Sequence, residues 1–248
     1  MSILDKFPKQ RKELPEAYRA IYNTHCLSNR EGKYKTTSLS RKLESWMHRK
    51  VAGDLKHMGS TCSTMEIGAG TLNQLYYEPE GLPYDIVEPF HKMFENSPLL
   101  SRVQKVYFDI AEIPEDRKYD RIISTATFEH IVDLPFVVAS AAMHLNDGGH
   151  LRVAIPNEGT VLWSLGTKMT GYEFRKWHGL DYRILMQYEH VNTADEIGEV
   201  LHYFFGSCRC SVLGLSRGLA FYRFYDCIEP NIQFISDYFE QRRSESGL

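Results

Sequence analysis

Met65-Glu66-Ile67-Gly68-Ala69-Gly70 is followed by Tyr84-Asp85-Ile86-Val87-Glu88, with Glu88 twenty positions beyond Gly68. A short apolar strand runs into two glycines separated by one residue, and a second strand ends on a carboxylate. In that order, a doubly wound α/β sheet grips a nucleoside at its first two strand ends. Gly68 and Gly70 permit a tight turn and a close approach of backbone to ligand, since neither carries a Cβ. Glu88 is placed to accept both hydroxyls of a ribose, a two-pronged task that suits a carboxylate.

The run Gly68-Ala69-Gly70-Thr71-Leu72-Asn73 lacks the third glycine of GxGxxG. A pyrophosphate needs a bare helix N-terminus at that point, and a ligand without phosphates does not. The pattern therefore favours S-adenosylmethionine over NAD. Asp109, about twenty residues further on at the next strand end, is placed to accept the exocyclic amine of adenine while the amide of Ile110 contacts the ring. Its alternative role is a helix N-cap. Glu66, inside the first strand, reads as an acceptor for a loop amide or a neighbour of a ligand's ammonium group.

The chain has 248 residues, 43% of them hydrophobic, and a net charge of −3. These values fit one soluble α/β domain and give no general attraction to nucleic acid or anionic membrane. The first sixteen residues contain no apolar core of a secretion signal, and no run approaches the roughly 20 apolar residues of a membrane span. A cytoplasmic location is the expectation. Cys26, Cys62, Cys208, Cys210 and Cys227 are scattered; Cys208 and Cys210 share one strand face, which disfavours a bond between them, and the set reads as reduced thiols. No closely spaced ligand set for a metal is found, so the expected site is metal-independent.

Apolar residues at 39, 43, 46, 47, 51 and 55 form a helical stripe, preceded by a helix around 14–22. Strands are expected at 63–67, 84–87, 103–108, 119–124 and 150–155. Asp133-Leu134-Pro135 predicts an N-cap and first turn of a helix through Leu145, closed by Asn146-Asp-Gly-Gly149. Thr193-Ala-Asp-Glu196 is a capping box for a helix with Ile197, Val200, Leu201 and Phe204 on one face. Strands at 208–213 and 219–225, joined by Gly214–Gly218, predict a hairpin. One domain results: helical extension 1–58, ligand-binding core 60–156, insertion 157–192, and last helix, hairpin and tail 193–248.

Glu66-Ile-Gly-Ala-Gly70, Glu88, Asp109, Tyr119-Asp-Arg-Ile-Ile-Ser-Thr-Ala-Thr-Phe-Glu-His130 and Leu145–Pro156 resemble the successive motifs of class I S-adenosylmethionine-dependent methyltransferases. Phe128-Glu-His130 is similar to the Leu-Glu-His of their small-molecule branch. The resemblance implies a Rossmann-like doubly wound seven-stranded sheet with a reversed last strand. It implies cofactor contacts from Glu66, Gly68, Gly70, Thr71, Asn73, Glu88, Pro89, Phe90, Asp109, Ile110, Thr125 and Ala126, the last two beside the methionine part, with S-adenosylhomocysteine as product. Asn73 in the third glycine position, and a following helix cut short by Glu78-Pro79, depart from the pattern around 71–77.

Methyl transfer to a hydroxyl needs positioning and a base. Glu129, His130, Glu158 and His190 are the candidates, with His130 and His190 favoured, alone or together. The structural alternatives are a histidine shaping the pocket wall (His130) and one satisfying loop backbone (His190). The 157–192 insertion carries Trp163, Tyr172, Phe174, Trp177, Tyr182 and Tyr188, which read either as a stacking surface for a sugar or as the insertion's own core. Its charges balance, Lys168, Arg175, Lys176 and Arg183 against Glu158, Glu173, Asp181 and Glu189, which disfavours a polyanion groove. Arg175-Lys176 reads as a phosphate contact or, more simply, a solvated pair. Ile155–Gly159 through Glu189–Thr193 resembles bacterial methyltransferases of cell-surface glycan synthesis, which implies a saccharide or nucleotide-linked sugar acceptor. Strand four is not followed by the Asn/Asp-Pro-Pro-Tyr of amine-methylating DNA enzymes, nor Pro156 by the Cys of cytosine-C5 enzymes. The alternatives are another small, including phosphorylated, metabolite as acceptor, or a non-catalytic cofactor-binding partner or sensor.

Overall fold

The parallel part of the sheet is built from β1 (Thr64–Ile67), β2 (Tyr84–Val87), β3 (Lys105–Tyr107), β4 (Tyr119–Thr125) and β5 (Leu145–Pro156). A terminal hairpin adds β6 (Phe205–Ser216) and β7 (Leu219–Pro230), and β7 lies antiparallel to both β5 and β6. The order across the sheet is β3-β2-β1-β4-β5-β7-β6. This is the expected Rossmann-like seven-stranded sheet with its last strand reversed. The computed structural model describes residues 2–19, 21–22, 38–59, 61–160, 171–172 and 174–246, with backbone alone at 38–42. Cys26, Trp163, Lys168 and Glu173 lie outside the described residues. No helix among those described is long and apolar enough to cross a membrane.

All four residues of β1 and of β2 are buried, as in a sheet covered on both faces. Alternation sends neighbours to opposite cores. Met65, Ile67 and Ile122 join Val138, Ala141, Ile197, Leu201 and Phe204 on one face. Ile86, Ile123 and Ala154 meet Met47, Val51, Leu72 and Leu75 on the other. The first face is covered by α2 (Leu134–Met143), α4 (Ala194–Phe204) and α5 (Ile232–Ser246). The second is covered by α1 (Ser38–Val51), and α3 (Tyr182–Glu189) belongs to the insertion. The Thr193 capping box opens α4 as its sequence predicts.

Several boundaries differ from the sequence expectation. Helix α2 stops at Met143, where the His144 amide donates back to the last turn. Leu145 already pairs with Tyr119, so Asn146–Gly149 makes a bulge inside β5 instead of ending a helix. Gly148 has φ +74°, and Asn146 Nδ2 donates to Asp120 at 2.7 Å. Asp133 stands at the N-cap without a capping bond and pairs with Arg242 at 2.6 Å. The last hairpin is longer than predicted, with Gly214 forming an irregularity inside the β6–β7 ladder. Cys208 and Cys227 are register partners on β6 and β7, with Cα atoms 4.1 Å apart and sulfurs bonded. That corrects the reading of all cysteines as reduced. Cys62 and Cys210 are free thiols.

An ionic knot locks α1 to the sheet. Arg121, in mid-β4 and fully buried, reaches Glu78 at 2.7 Å, Asp54 at 2.8 Å, the Thr64 hydroxyl at 2.9 Å and the Val51 carbonyl at 3.1 Å. Arg152 on β5 donates to the Val51 and Lys50 carbonyls at 2.9 and 2.8 Å. Two guanidinium groups thus satisfy carbonyls left over at the end of α1. Glu78, read from the sequence as half of a helix breaker, is Arg121's buried partner.

Candidate active site

Strands β1, β2 and β4 end side by side, and their following loops enclose a cleft of about 1620 Å³. That exceeds the roughly 300–1,000 Å³ of a single small-ligand pocket. Every residue expected to touch a cofactor lines it: Glu66, Gly68, Gly70, Thr71, Asn73, Glu88, Pro89, Phe90, Asp109, Ile110, Thr125 and Ala126. His130 lines it as well, and His190 lies behind.

Gly68 has φ +73°, and a Cβ there would sit 2.2 Å from Thr127 Cγ2. The glycine is required both by its backbone angle and by Thr127, whose hydroxyl reaches the Gly68 carbonyl at 3.3 Å. Thr127 was not singled out by the sequence, because only the pairing of β1 with β4 brings it here. Past Gly70, Leu72 adopts the left-handed conformation and only a single 3-10 turn, Asn73–Tyr76, follows. No α-helix begins at Asn73, so the N-terminal cradle that a pyrophosphate needs is not formed there.

Glu88 is buried, with one carboxylate oxygen accepting the Gly70 amide at 2.8 Å and the other the Phe90 amide at 2.9 Å. These bonds fix the group in place, and a carboxylate retains further lone pairs on both oxygens. Asp109 accepts the Ala111 amide at 2.8 Å and so caps the turn Ile110–Glu112 while facing the cleft. Glu66 accepts from the Tyr84 hydroxyl at 2.8 Å instead of a loop amide. Burial holds its pKa well above the ordinary carboxylate value. At the end of β4, the buried Thr125 hydroxyl has no hydrogen-bond partner among the described residues, and Ala126 sits at φ +50°.

The four candidate bases converge at one edge of this cleft. Turn Phe128–His130 presents His130, whose Nδ1 meets the Glu189 carbonyl at 3.0 Å. A carbonyl only accepts, so Nδ1 carries a proton, and the neutral form of the ring has its lone pair on Nε2. The His190 ring packs edge-on against the His130 ring with centroids 4.7 Å apart. Its Nδ1 bonds the Glu158 carboxylate. Glu129 lies beneath, 2% exposed, with Oε1 3.8 Å from His130 Nε2 and Oε2 without a hydrogen-bond partner among the described residues. The main chain ties the cluster together, as the Val191 and Asn192 amides both donate to the Glu129 carbonyl.

Burial pushes the Glu129 carboxyl up to about 7. Burial opposes charge on His190, but Glu158 and the acids around it outweigh that and raise its pKa. Unfolded Glu129 releases its proton near the ordinary 4.5, so between those values the folded chain holds more protons and stability falls as pH rises. In a chelating buffer, the unfolding free energy is expected to drop by on the order of 3 kcal/mol between about pH 4.5 and 7 from this group. Urea titrations across that range should show the slope in the wild type and a flatter profile in Glu129→Gln.

The N-terminal segment closes over this edge. Arg11 donates to the His130 carbonyl at 2.5 Å and the Tyr188 carbonyl at 3.0 Å. Leu14 and Tyr18 pack with Phe174 and Leu185 of the insertion. Among the described residues, the insertion's buried aromatics therefore share a core with the N-terminal segment. Tyr172 and Trp177 remain 74% and 78% exposed, and Arg175-Lys176 is solvated.

Residues 11–203 match a family described as Methyltransferase domain. No curated protein matches the chain. Among solved structures, the chain is similar to the plantazolicin methyltransferase BpumL, in complex with a monoazolic desmethylPZN analogue and S-adenosylhomocysteine. That match has a TM-score of 0.61 at 12% identity, covering 86% of this chain and 93% of the other. It is also similar to the CurJ carbon methyltransferase, at TM-score 0.55 and 17% identity over 82% of this chain and 57% of that one. A third likeness is to a SAM-dependent methyltransferase, possible histamine N-methyltransferase, from Thermotoga maritima. Here the TM-score is 0.50 and the identity 17%, over 76% of this chain and 95% of the other. At such identities the shared property is the fold.

Proposed function

Because the chain belongs to the methyltransferase-domain family and takes S-adenosylmethionine as its methyl donor, we propose that it methylates a hydroxyl of a small, saccharide-like acceptor. The observation that carries the hydroxyl reading is the Glu129-His130-His190-Glu158 cluster beside the ends of β4 and β5. An amine acceptor can shed its proton unaided, whereas a hydroxyl needs a base in reach. The saccharide reading is supported by exposed Tyr172 and Trp177 in the insertion and by the insertion's balanced charge, together with its resemblance to glycan-pathway enzymes. Flat aromatic faces suit the apolar faces of sugar rings.

The residues present fit the cofactor. Two glycines at positive φ, a Glu88 carboxylate fixed by two amides and the unpartnered Thr125 hydroxyl all face one cleft. Glu88 would hold the ribose and Asp109 with Ile110 the adenine. Gly68, Gly70 and Thr71 would pass along the nucleoside, with Asn73 at the rim, while Glu66, Thr125 and Ala126 would flank the amino-acid end. Pro89 and Phe90 would close the adenine side. When bound, the sulfonium supplies an activated methyl group, so the chain's own tasks are alignment and proton removal. His130 Nε2 takes the acceptor proton. His190, held by Glu158, stands behind the His130 ring and would fix its position.

Glu88→Ala is expected to weaken S-adenosylhomocysteine binding by about 1–3 kcal/mol through loss of charged hydrogen bonds; unchanged affinity by calorimetry would remove Glu88 from the site. The acceptor class is tested by offering nucleotide sugars and free glycans with methyl-labelled donor. Base-stable label in the sugar is the expected product. Label confined to amine, peptide or phosphorylated non-sugar acceptors would overturn the saccharide reading.

A further inference from the structure

We propose that Glu129, His130 and His190 form a binding site for one divalent cation of the imidazole-preferring class, Zn²⁺ foremost, with Glu158 as the outer carboxylate that orients His190. The binding claim stands on geometry and does not depend on which acceptor is methylated. One ligand atom from each of the three residues lies within 4.8 Å of the others. Zinc bonds of about 2.1 Å in tetrahedral array set ligand atoms roughly 3.4 Å apart. Glu129 Oε1 and His130 Nε2, at 3.8 Å, need only a small closing movement to reach that spacing.

Two independent features separate this cluster from a chance meeting of polar side chains. The first is the outer shell. Metal-ligating histidines commonly give their other ring N–H to a carbonyl or carboxylate, which fixes the tautomer and turns the lone pair toward the ion. Both partner types are present, the Glu189 carbonyl on His130 and the Glu158 carboxylate on His190. The second is Glu129. Its side chain is almost wholly buried, and one oxygen has no hydrogen-bond partner among the described residues. A buried carboxylate in that condition is costly unless it is paired with charge, and a cation held with two imidazoles provides that charge. Arg11 donates to the His130 carbonyl, not to this carboxylate.

The donor set of two imidazoles and one carboxylate is that of catalytic zinc and related sites, in which a further position takes water or substrate. His130 borders the cleft, so that position would face the acceptor. A cation there would polarise an acceptor oxygen and make its proton more acidic, assuming the role given above to His130 in the metal-free chain. The expectation of a metal-independent site came from the absence of closely spaced ligands, and here the histidines are sixty residues apart.

The test uses the full, tag-free chain, stripped with chelator, re-exposed to Zn²⁺ or Co²⁺ and desalted, with metal counted by mass spectrometry. About one ion per chain is expected, and Co²⁺ should give visible ligand-field bands. Glu129→Gln and His190→Ala should lose the ion on desalting, while Glu158→Gln should weaken it about 10–100-fold. Calorimetry with S-adenosylhomocysteine on the same samples reports whether each variant is folded and whether the cofactor site exists. A variant that fails this control is replaced by the milder His190→Gln or His130→Asn. Wild type that retains less than about a tenth of an equivalent while binding S-adenosylhomocysteine would overturn the metal site and leave the methyltransferase reading intact. Retention of the ion in folded variants would overturn it equally, by placing the ion elsewhere.

Discussion

Arg121→Ala is expected to destabilise the chain by about 3–5 kcal/mol, the range for removing one partner of a buried ion pair. Its guanidinium has no exposure and is the common partner of Glu78 and Asp54. Alanine would strand the buried Glu78 carboxylate and leave Asp54 with Arg152, 3.3 Å away, as its remaining cationic partner. It would also remove one of the two guanidinium donors on the Val51 carbonyl and leave a cavity the size of the lost side chain. The effect should be visible as a lowered urea midpoint. Because Asp54 and Glu78 anchor the turn after α1 and the segment after the glycine loop, S-adenosylhomocysteine affinity should fall with it. Adding Glu78→Gln to Arg121→Met should recover part of the loss, since the stranded charge, more than the missing contact, is the source of the cost. A single-variant effect below about 1 kcal/mol would show that water reaches these carboxylates.

The second large effect concerns turnover. His130→Ala is expected to lower kcat about 10²–10⁴-fold on a hydroxyl acceptor, the usual value of a positioned base. Cofactor binding should be unchanged, because His130 lies beyond the cofactor's expected contacts. The proposed mechanism makes His190 a positioning residue that acts through His130. His190→Ala should therefore lower kcat more than it alters KM, and should also shift the acidic limb of the pH–rate profile. A purely structural His190 would change amount and stability of folded protein without moving that limb. Full turnover in both variants would remove the base assignment.

Much of the lining of the cleft was readable from the chain because its signals are local. A strand of period two, a glycine pair after it and a carboxylate at the next strand end are each written in six or fewer consecutive residues. Gly68, Gly70, Glu88 and Asp109 line one cleft. Boundaries were less legible where one local signal serves two structures. Asn146–Gly149 is as good a bulge as a helix stop, and pairing of Leu145 with Tyr119 decided between them. The cysteines show the same limit. Cys208 and Cys227 meet because the last hairpin sets them in register, and nothing in their spacing announces it.

Periodicity and strand-end chemistry indicated a doubly wound α/β sheet with a ligand cleft at its first strand ends, and the resemblance to class I methyltransferases implied seven strands with the last reversed. Glu129, His130, Glu158 and His190 were also named as one pool of candidate bases. Tertiary structure alone decided that these four are a single cluster, that His130 fronts the cleft with the His190 ring packed behind it, and that Arg121 pairs with Glu78. The reason is one of range. Backbone preference and amphipathic period act over a few residues, whereas tautomer, burial and charge pairing depend on neighbours that the chain brings together only after tens of residues have folded between them.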